Sequence, residues 1–373
     1  MAISFVVEKE VPGSLARAGR LITPHGEVKT PAFMPVGTQG TVKGLRPEEV
    51  REAGAQMILA NAYHLYLRPG SHRVKALGGL HRFMHWEHPI LTDSGGFQLF
   101  SLAATMSIGD EGVAFRSHVD GSAHFWRPED SIAVQEELGA DIIMAFDQPV
   151  GLPAPRERVE EALRRTLLWA RRSLAAKTRA DQALFGIVQG GLEEDLRRQA
   201  ARELRSLPFD GYAVGGLSVG EPEDDMYRAL EWTVPELPVD KPRYLMGVGL
   251  PRNLVEGVAR GIDLFDCVLP TRMGRTGTAL VPGGRLNLRN AAYAEDPRPI
   301  QEGCDCYTCR YYSRGYLRHL VLAKELLGLS LVSLHNVRFL VRLMESMREA
   351  ILKGEFAAFV EKFRQEEGRE VEA

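Results

Sequence analysis

Cysteine is scarce in this chain: four in 373 residues, too few for the disulfide framework that staples small secreted domains. Net charge is nearly absent as well. The formal value of -3 excludes a protein that coats nucleic acid indiscriminately, although it leaves room for a local basic surface. No uninterrupted apolar run approaches the about 20 residues of a membrane span, and the opening segment Met1-Ala-Ile-Ser-Phe-Val-Val-Glu-Lys-Glu10 puts acids where a secretory signal needs its apolar stretch. A cytoplasmic protein with no membrane partner is therefore expected. Also missing is a glycine-rich nucleotide fingerprint after the first apolar run, which weakens the case for an open, doubly wound sheet.

What is present suits a folded enzyme. With 45% hydrophobic and 25% charged residues, the chain falls outside the disordered and fibrous classes and can bury one large core plus an appendage. Eight short apolar runs recur along it: Ala32–Val36, Gln56–Ala60, Pro89–Thr92, Asp141–Phe146, Ala183–Val188, Gly211–Val214, Arg243–Met246 and Asp263–Phe265. Continuous apolar runs of this length read as parallel strands buried on both faces. Amphipathic segments separate them, among them Pro47–Gly54, Pro128–Leu138, Arg156–Lys177, Glu193–Leu207, Asp224–Leu237 and Arg252–Arg260, some opened by a first-turn proline. Eight such alternations predict an α/β fold, a (β/α)8 TIM barrel over residues 1–270. Two stretches break the alternation. Residues 101–126 read as hairpins inserted in the barrel. From 271 to 373 a Gly-, Pro- and Arg-rich insertion, a zinc-binding subdomain and C-terminal helices are expected to pack on it. Between Thr271 and Leu320 eight arginines stand against four acids, so this part of a slightly acidic chain is basic.

In barrel enzymes chemistry sits at the C-terminal ends of strands. Here the third run leads into Asp93-Ser94, the fourth into Asp147, the fifth into Gln189-Gly-Gly, the sixth into Gly215-Gly216-Leu217, the seventh through Met246 into Gly247-Val-Gly249, and the eighth into Asp266. One aspartate after a strand is usually a helix cap or a turn residue; three aspartates and a glutamine on one rim are not explained that way. Two carboxylates facing a glycosidic bond permit double displacement, one attacking the anomeric carbon and the other moving a proton. Asp93 and Asp266 are the natural pair. Asp147 and Gln189 suit the edge of a purine, since a carboxylate accepts from N–H groups while an amide both donates and accepts.

Three of the cysteines, Cys304, Cys306 and Cys309, fall within six residues, and His335 follows on a predicted helix. Three thiolates and an imidazole make a complete tetrahedral set for one structural Zn2+ per chain, with no position left for a catalytic water. A lone histidine on a helix is more often a surface or satisfied core residue, so its assignment rests on the cysteines.

The strings Thr92-Asp-Ser-Gly-Gly-Phe-Gln98, Gly186-Ile-Val-Gln-Gly-Gly191, Gly215-Gly-Leu-Ser-Val-Gly-Glu221, Tyr244-Leu-Met-Gly-Val-Gly249 and Phe265-Asp-Cys-Val-Leu-Pro-Thr-Arg272, with the cysteine and histidine set, resemble bacterial tRNA-guanine transglycosylases. The resemblance runs from about Val36 to the C-terminal helix. It implies that Asp266 is the nucleophile forming a covalent ribosyl-enzyme and that Asp93 is the acid and base for departing and arriving bases. It also implies that Ser94, Asp147, Gln189, Gly216 and Leu217 belong to the base pocket, that Phe97 and Met246 stack on the base, and that the loops 247–253 and 271–275, including Gly247, Gly249, Arg252, Thr271, Arg272 and Arg275, contact the tRNA anticodon loop. The implied reaction exchanges the wobble guanine of G-U-N tRNAs for 7-aminomethyl-7-deazaguanine, in a homodimer for which Arg310–His319 offers an aromatic, basic interface. An ordinary helix with a half-buried tyrosine face is the alternative for that segment. One departure stands out: many bacterial members carry Glu-Cys after the pocket aspartate, where this chain has Gln148-Pro149. That leaves insertion of queuine as an alternative, beside a non-catalytic RNA-binding subunit of a heterodimeric transglycosylase.

Overall fold

The computed structural model describes residues 2–102 and 106–367. Strands β1 (Ser4–Glu10), β2 (Arg17–Thr23) and β3 (Gly26–Thr30) form an antiparallel sheet ahead of the barrel. Then come β4 (Ala32–Gly37), β5 (Ile58–Ala60) and β6 (Ile90–Thr92), followed by the antiparallel sheet β7 (Met106–Gly109), β8 (Gly112–Arg116) and β9 (Ala123–Trp126). The remaining barrel strands are β10 (Ile142–Met144), β11 (Ala183–Val188), β12 (Gly211–Val214), β13 (Arg243–Leu245) and β14 (Leu264–Cys267). All eight barrel strands pair in parallel, and β14 closes on β4 through Leu264 to Ala32 and Asp266 to Met34. The (β/α)8 barrel is thus the fold, with each strand at its expected place. The insertion at 101–126 is the β7–β9 sheet, residues 103–105 lying outside the described residues.

The barrel interior is filled by Met34, Leu59, Leu91, Met144, Phe185, Ile187, Ala213, Tyr244 and Leu264, and Ile3, Leu21 and Val28 join the same apolar cluster. The first three strands therefore floor the barrel, a separate sheet within the residues 1–270 expected as barrel. Polar ties secure the floor. The guanidinium of Arg17, buried, donates to both oxygens of Asp263 at 2.9 and 2.7 Å, and Asp263 immediately precedes β14. His25 and His81 contact the two oxygens of Asp141, just before β10, at 2.7 and 3.2 Å. Their rings stack with centroids 3.6 Å apart and planes 15° apart. Lone pairs lie in the ring planes, so two stacked imidazoles do not aim at one ion; this His–Asp–His group is a latch made of hydrogen bonds.

After β14 the chain does not enter a loop, as expected for 271–275, but the short helix Leu269–Arg275. Next come the hairpin β15 (Thr278–Val281) and β16 (Gly284–Asn287), the helices Tyr307–Tyr311 and Arg314–Ala323, the 28-residue helix Leu326–Lys353 and the helix Phe356–Glu366. The long helix starts earlier than its expected segment at Ser333. By length and composition it could cross a membrane, yet 56% of its most apolar window is buried in the fold. Leu340, Met344, Met347 and Ile351 share a core with barrel residues Phe33, Leu245 and Phe265. Gly274 lets the helix Leu269–Arg275 approach the long helix closely, because a Cβ there would run into the backbone of Ser333 at 2.6 Å.

Candidate active site

Asp93, Ser94, Asp147, Gln189, Gly216, Leu217, Met246 and Asp266 all stand at the C-terminal ends of barrel strands, on the rim opposite the floor sheet. All three aspartates are buried, and among the described residues none has a lysine or arginine ion-pair partner. Their charge is managed by hydrogen bonds alone.

Asp93 follows β6. Its Oδ2 accepts from the side-chain amide of Asn61, and its Oδ1 accepts from the backbone N–H of Ala62 at 2.9 Å. Burial pushes its carboxyl up to about 7 against the pull of the Ala62 and Gly95 amides, and the nearby Asp266 and Asp147 charges add to the rise. Asp266 receives two donors on one oxygen, the Tyr244 hydroxyl at 2.6 Å and the Gly247 N–H at 2.7 Å. Burial raises this carboxyl too, while both donors favour its ionised form. The Tyr244 phenol is held well above its ordinary range by burial and by the Asp266 charge, so it remains a donor. Asp147 is clasped by the Ser94 hydroxyl at 3.1 Å and by the Gln189 amide at 2.7 Å, one on each oxygen. Burial nevertheless lifts it to about 6.

Glycine forms the bed beneath Gln189. Gly216 has φ +67°, and a Cβ on it would collide with Gln189 Oε1; only glycine meets both demands. Leu217 beside it is buried. The following turn is held by Glu221, whose carboxylate accepts from the backbone N–H groups of Ser218 and Val219. Phe97 lies in the helix Gly96–Leu102 and is 53% exposed. Met246 is half-buried and packs on the barrel interior.

Several expected positions turn out to be engaged. The Gly247 amide supports Asp266, and a Cβ on Gly249 would run into the side chain of Cys267, so these glycines serve strand packing and a carboxylate. Within the expected loop 247–253, Pro251 begins a helix, and Asn253 is buried under the Tyr227 hydroxyl at 2.6 Å. Arg252 is exposed at 3.7 Å from Glu367 and 3.9 Å from Glu223. Thr271 is buried and takes the Arg275 guanidinium at 3.3 Å, while Arg272 is exposed. The side-chain oxygen of Gln148 accepts from the Arg165 guanidinium at 2.6 Å and its backbone N–H donates to the Thr166 hydroxyl oxygen at 3.0 Å, so that side-chain oxygen is not free for a base. Asn61 and Tyr244 were not anticipated. Asn61 follows its strand just as Asp93 does, a signal that was available, whereas Tyr244 reads as one more core aromatic.

The sulfurs of Cys304, Cys306 and Cys309 lie 3.8, 3.6 and 3.3 Å from His335 Nδ1. A tetrahedral ion with ordinary thiolate and imidazole bonds separates sulfur from nitrogen by about 3.5 Å, so the four residues can hold a metal ion as they stand. His335 Nε2 donates to the Leu280 carbonyl at 2.7 Å, which leaves Nδ1 as the ligand nitrogen.

Fold and rim together define a (β/α)8 barrel with three buried carboxylates gathered at the C-terminal ends of its strands, and a cysteine–histidine cluster that could hold a metal ion set apart in the C-terminal segment. The family described as queuine tRNA-ribosyltransferase matches residues 13–369. Relatives named queuine tRNA-ribosyltransferase include one from Moorella thermoacetica, 59% identical over 95% of both chains. Others are from Pelotomaculum thermopropionicum, 58% identical over 97% of this chain and 98% of the relative, and from Thermus thermophilus, 57% identical over 98% and 96%. The chain belongs to the queuine tRNA-ribosyltransferase family, the tRNA-guanine transglycosylases, and is accordingly a pentosyltransferase.

Proposed function

We propose that this enzyme exchanges the wobble guanine of G-U-N tRNAs for 7-aminomethyl-7-deazaguanine by double displacement through a ribosyl ester on Asp266. The observation that carries this reading is the pairing of two buried carboxylates with different support. Asp266 has a phenol and an amide stabilising its anion, as a nucleophile requires. Asp93, raised to about 7, is matched to moving a proton near neutral pH. In the forward step an Asp266 oxygen attacks C1′ as the bond to guanine N9 breaks; guanine leaves with the electron pair and takes a proton from Asp93. The incoming base gives its N9 proton to Asp93, attacks C1′ and frees Asp266, so protons and charge balance over the cycle.

In this reading Asp147, Gln189, Ser94, Gly216 and Leu217 contact the base, which stacks between Phe97 and Met246. Arg272, Arg275 and Arg252, with the backbone around Gly247, Gly249 and Thr271, meet the anticodon loop, as single-stranded RNA is commonly held by cations and stacking. Cys304, Cys306, Cys309 and His335 would hold one zinc ion, whose contribution is structural because four protein ligands close its sphere. Their need for free thiols suits the cytosol. The exposed Tyr311 and Tyr316 make the Arg310–His319 segment the expected homodimer contact. Residues 1–270 act as the catalytic barrel and 271–373 as its RNA- and metal-binding extension. A purely RNA-binding role is disfavoured by the donors that support both carboxylates.

The test is incorporation of labelled guanine into tRNA, with 7-aminomethyl-7-deazaguanine and queuine as competing bases, followed by denaturing electrophoresis of the trapped adduct. Exchange in the wild type and loss of the adduct in Asp266→Asn are expected. No incorporation sinks the reading; an adduct that survives in Asp266→Asn or maps to Asp93 reverses the two roles; stronger competition by queuine changes the substrate.

A further inference from the structure

Arg197, in the helix Glu194–Arg205, points inward and has no exposed surface. Its Nε donates to the carbonyl of Gly191 at 2.8 Å, and its Nη1 is shared between the carbonyls of Gly215 at 3.0 Å and Val188 at 3.3 Å. Val188 and Gly191 flank Gln189 on the β11 loop, and Gly215 belongs to the loop after β12 on which the Gln189 side chain lies. One guanidinium thus grips the backbone on both sides of Gln189 and the bed beneath it. Gln189 in turn donates to Asp147 at 2.7 Å.

A structural filler does not need this chemistry. Among the described residues Arg197 forms no ion pair, and its Nη2 is buried without any hydrogen-bond partner. An unpaired cation in the interior is destabilising relative to a well-packed neutral side chain. What the charge supplies in return is stiffness, since hydrogen bonds from an ionised donor are roughly twice as strong as neutral ones. The rigid fork also fixes the distance between two loops in a way a flexible ammonium does not.

We propose that Arg197 is a positioning residue for base recognition, clamping the β11 and β12 loops so that Gln189 and Asp147 meet the purine edge already oriented. The inference rests on the base-exchange reading above. It predicts a selective defect: the base is bound less well, while the tRNA-contacting segments after β13 and β14, to which Arg197 makes no hydrogen bond, are unaffected.

The experiment compares wild type, Arg197→Lys and Arg197→Met in guanine exchange, and measures binding of 7-aminomethyl-7-deazaguanine to each protein by calorimetry without tRNA. In Arg197→Lys, KM for the base and the calorimetric Kd should both rise about tenfold, with KM for tRNA within about twofold of wild type. Arg197→Met should be worse, so that the lysine ranks as partial rescue. Unchanged base KM and Kd in the lysine variant, or equal rises in the base and tRNA KM values, overturn the proposal and make Arg197 a general structural residue. If Arg197→Met does not fold, the lysine variant decides alone. A wild type that binds the base but exchanges no guanine overturns the function and leaves the clamp to be judged on base binding.

Discussion

The rim carboxylates and the cysteine–histidine cluster are both buried groups of ionisable side chains, and they are finished in opposite ways. At the cluster the ligand atoms lie at the spacing a metal needs, and the spare imidazole nitrogen is hydrogen-bonded to Leu280, so an ion there leaves nothing unsatisfied. At the rim Asp93, Asp147 and Asp266 face one another with donors but, among the described residues, without a lysine or arginine partner, and burial drives all three carboxyls upward. A closed set returns its binding energy to folding. An open set keeps charge in tension, which disfavours the fold and suits a site that must gain and lose protons.

The sharpest way to break the contrast is at the closed end. Cys306→Ser should reduce bound zinc from about one per chain to nearly none and destabilise the C-terminal segment by several kcal/mol. Metal analysis and limited proteolysis of purified protein check this. Full metal content with unchanged protease resistance would mean the cluster is not closed around an ion.

At the open end, Tyr244→Phe removes one of the two donors on Asp266 while leaving the ring in the barrel core. A hydrogen bond to a charged group contributes about 1.5–3 kcal/mol, so kcat should fall about 10- to 100-fold. Because the hydroxyl lowers the Asp266 pKa, its loss raises that pKa, and the acid limb of the pH–rate profile should move to higher pH. An unshifted limb would leave Asp266 indifferent to its donor.

The tension can also be read in stability. Asp93 has a folded-state pKa near 7 against an ordinary 3.8, so the folded chain binds this proton more tightly than the unfolded chain. Its contribution to stability is greatest below about pH 4 and is lost as pH rises through 7. Asp93→Asn cannot ionise and should be more stable than wild type at pH 8, on the order of 2 kcal/mol, with the advantage fading at pH 5. Melting temperatures at the two pH values check this; a constant difference between the proteins would show that Asp93 is not strained by its charge.

The same contrast governs what could be read from sequence. The barrel was legible because strands buried on both faces appear as continuous apolar runs; Ala183–Val188 and Gly211–Val214 match their strands residue for residue. Asp93, Asp147, Gln189 and Asp266 were legible as polar residues placed directly after such runs, and the three cysteines by their closeness. Partners were harder. Arg197 sits among Arg198, Arg202 and Arg205 on one helix, and only packing reveals that it alone of these four is fully buried. The floor sheet was missed because Ser4–Glu10 is largely exposed and so lacks an apolar signature. The family resemblance implies a loop at Thr271–Arg275, yet Leu269–Arg275 is a helix despite the two residues, Pro270 and Gly274, that look like breakers. Pro270 falls in the first turn, where it is tolerated, and Gly274 is a close helix contact.

That helix carries the smallest effect and the most direct test of where the open site meets RNA. It begins three residues after Asp266, so whatever binds it is delivered beside that carboxylate. Arg272 is exposed and, among the described residues, has no ion-pair partner. Arg275 is partly buried, its guanidinium rests on Thr271 Oγ1, and its pKa is lowered by burial and by Arg272. The first is free to reach a phosphate and the second is already half committed. Arg272→Ala should raise KM for tRNA about fivefold and reduce the slope of log affinity against log salt by about 0.7 to 1. Arg275→Ala should have a smaller effect in the same direction, and base binding and metal content should stay at wild-type values in both. If tRNA affinity and its salt slope are unchanged in Arg272→Ala, the RNA approaches Asp266 from another side of the rim.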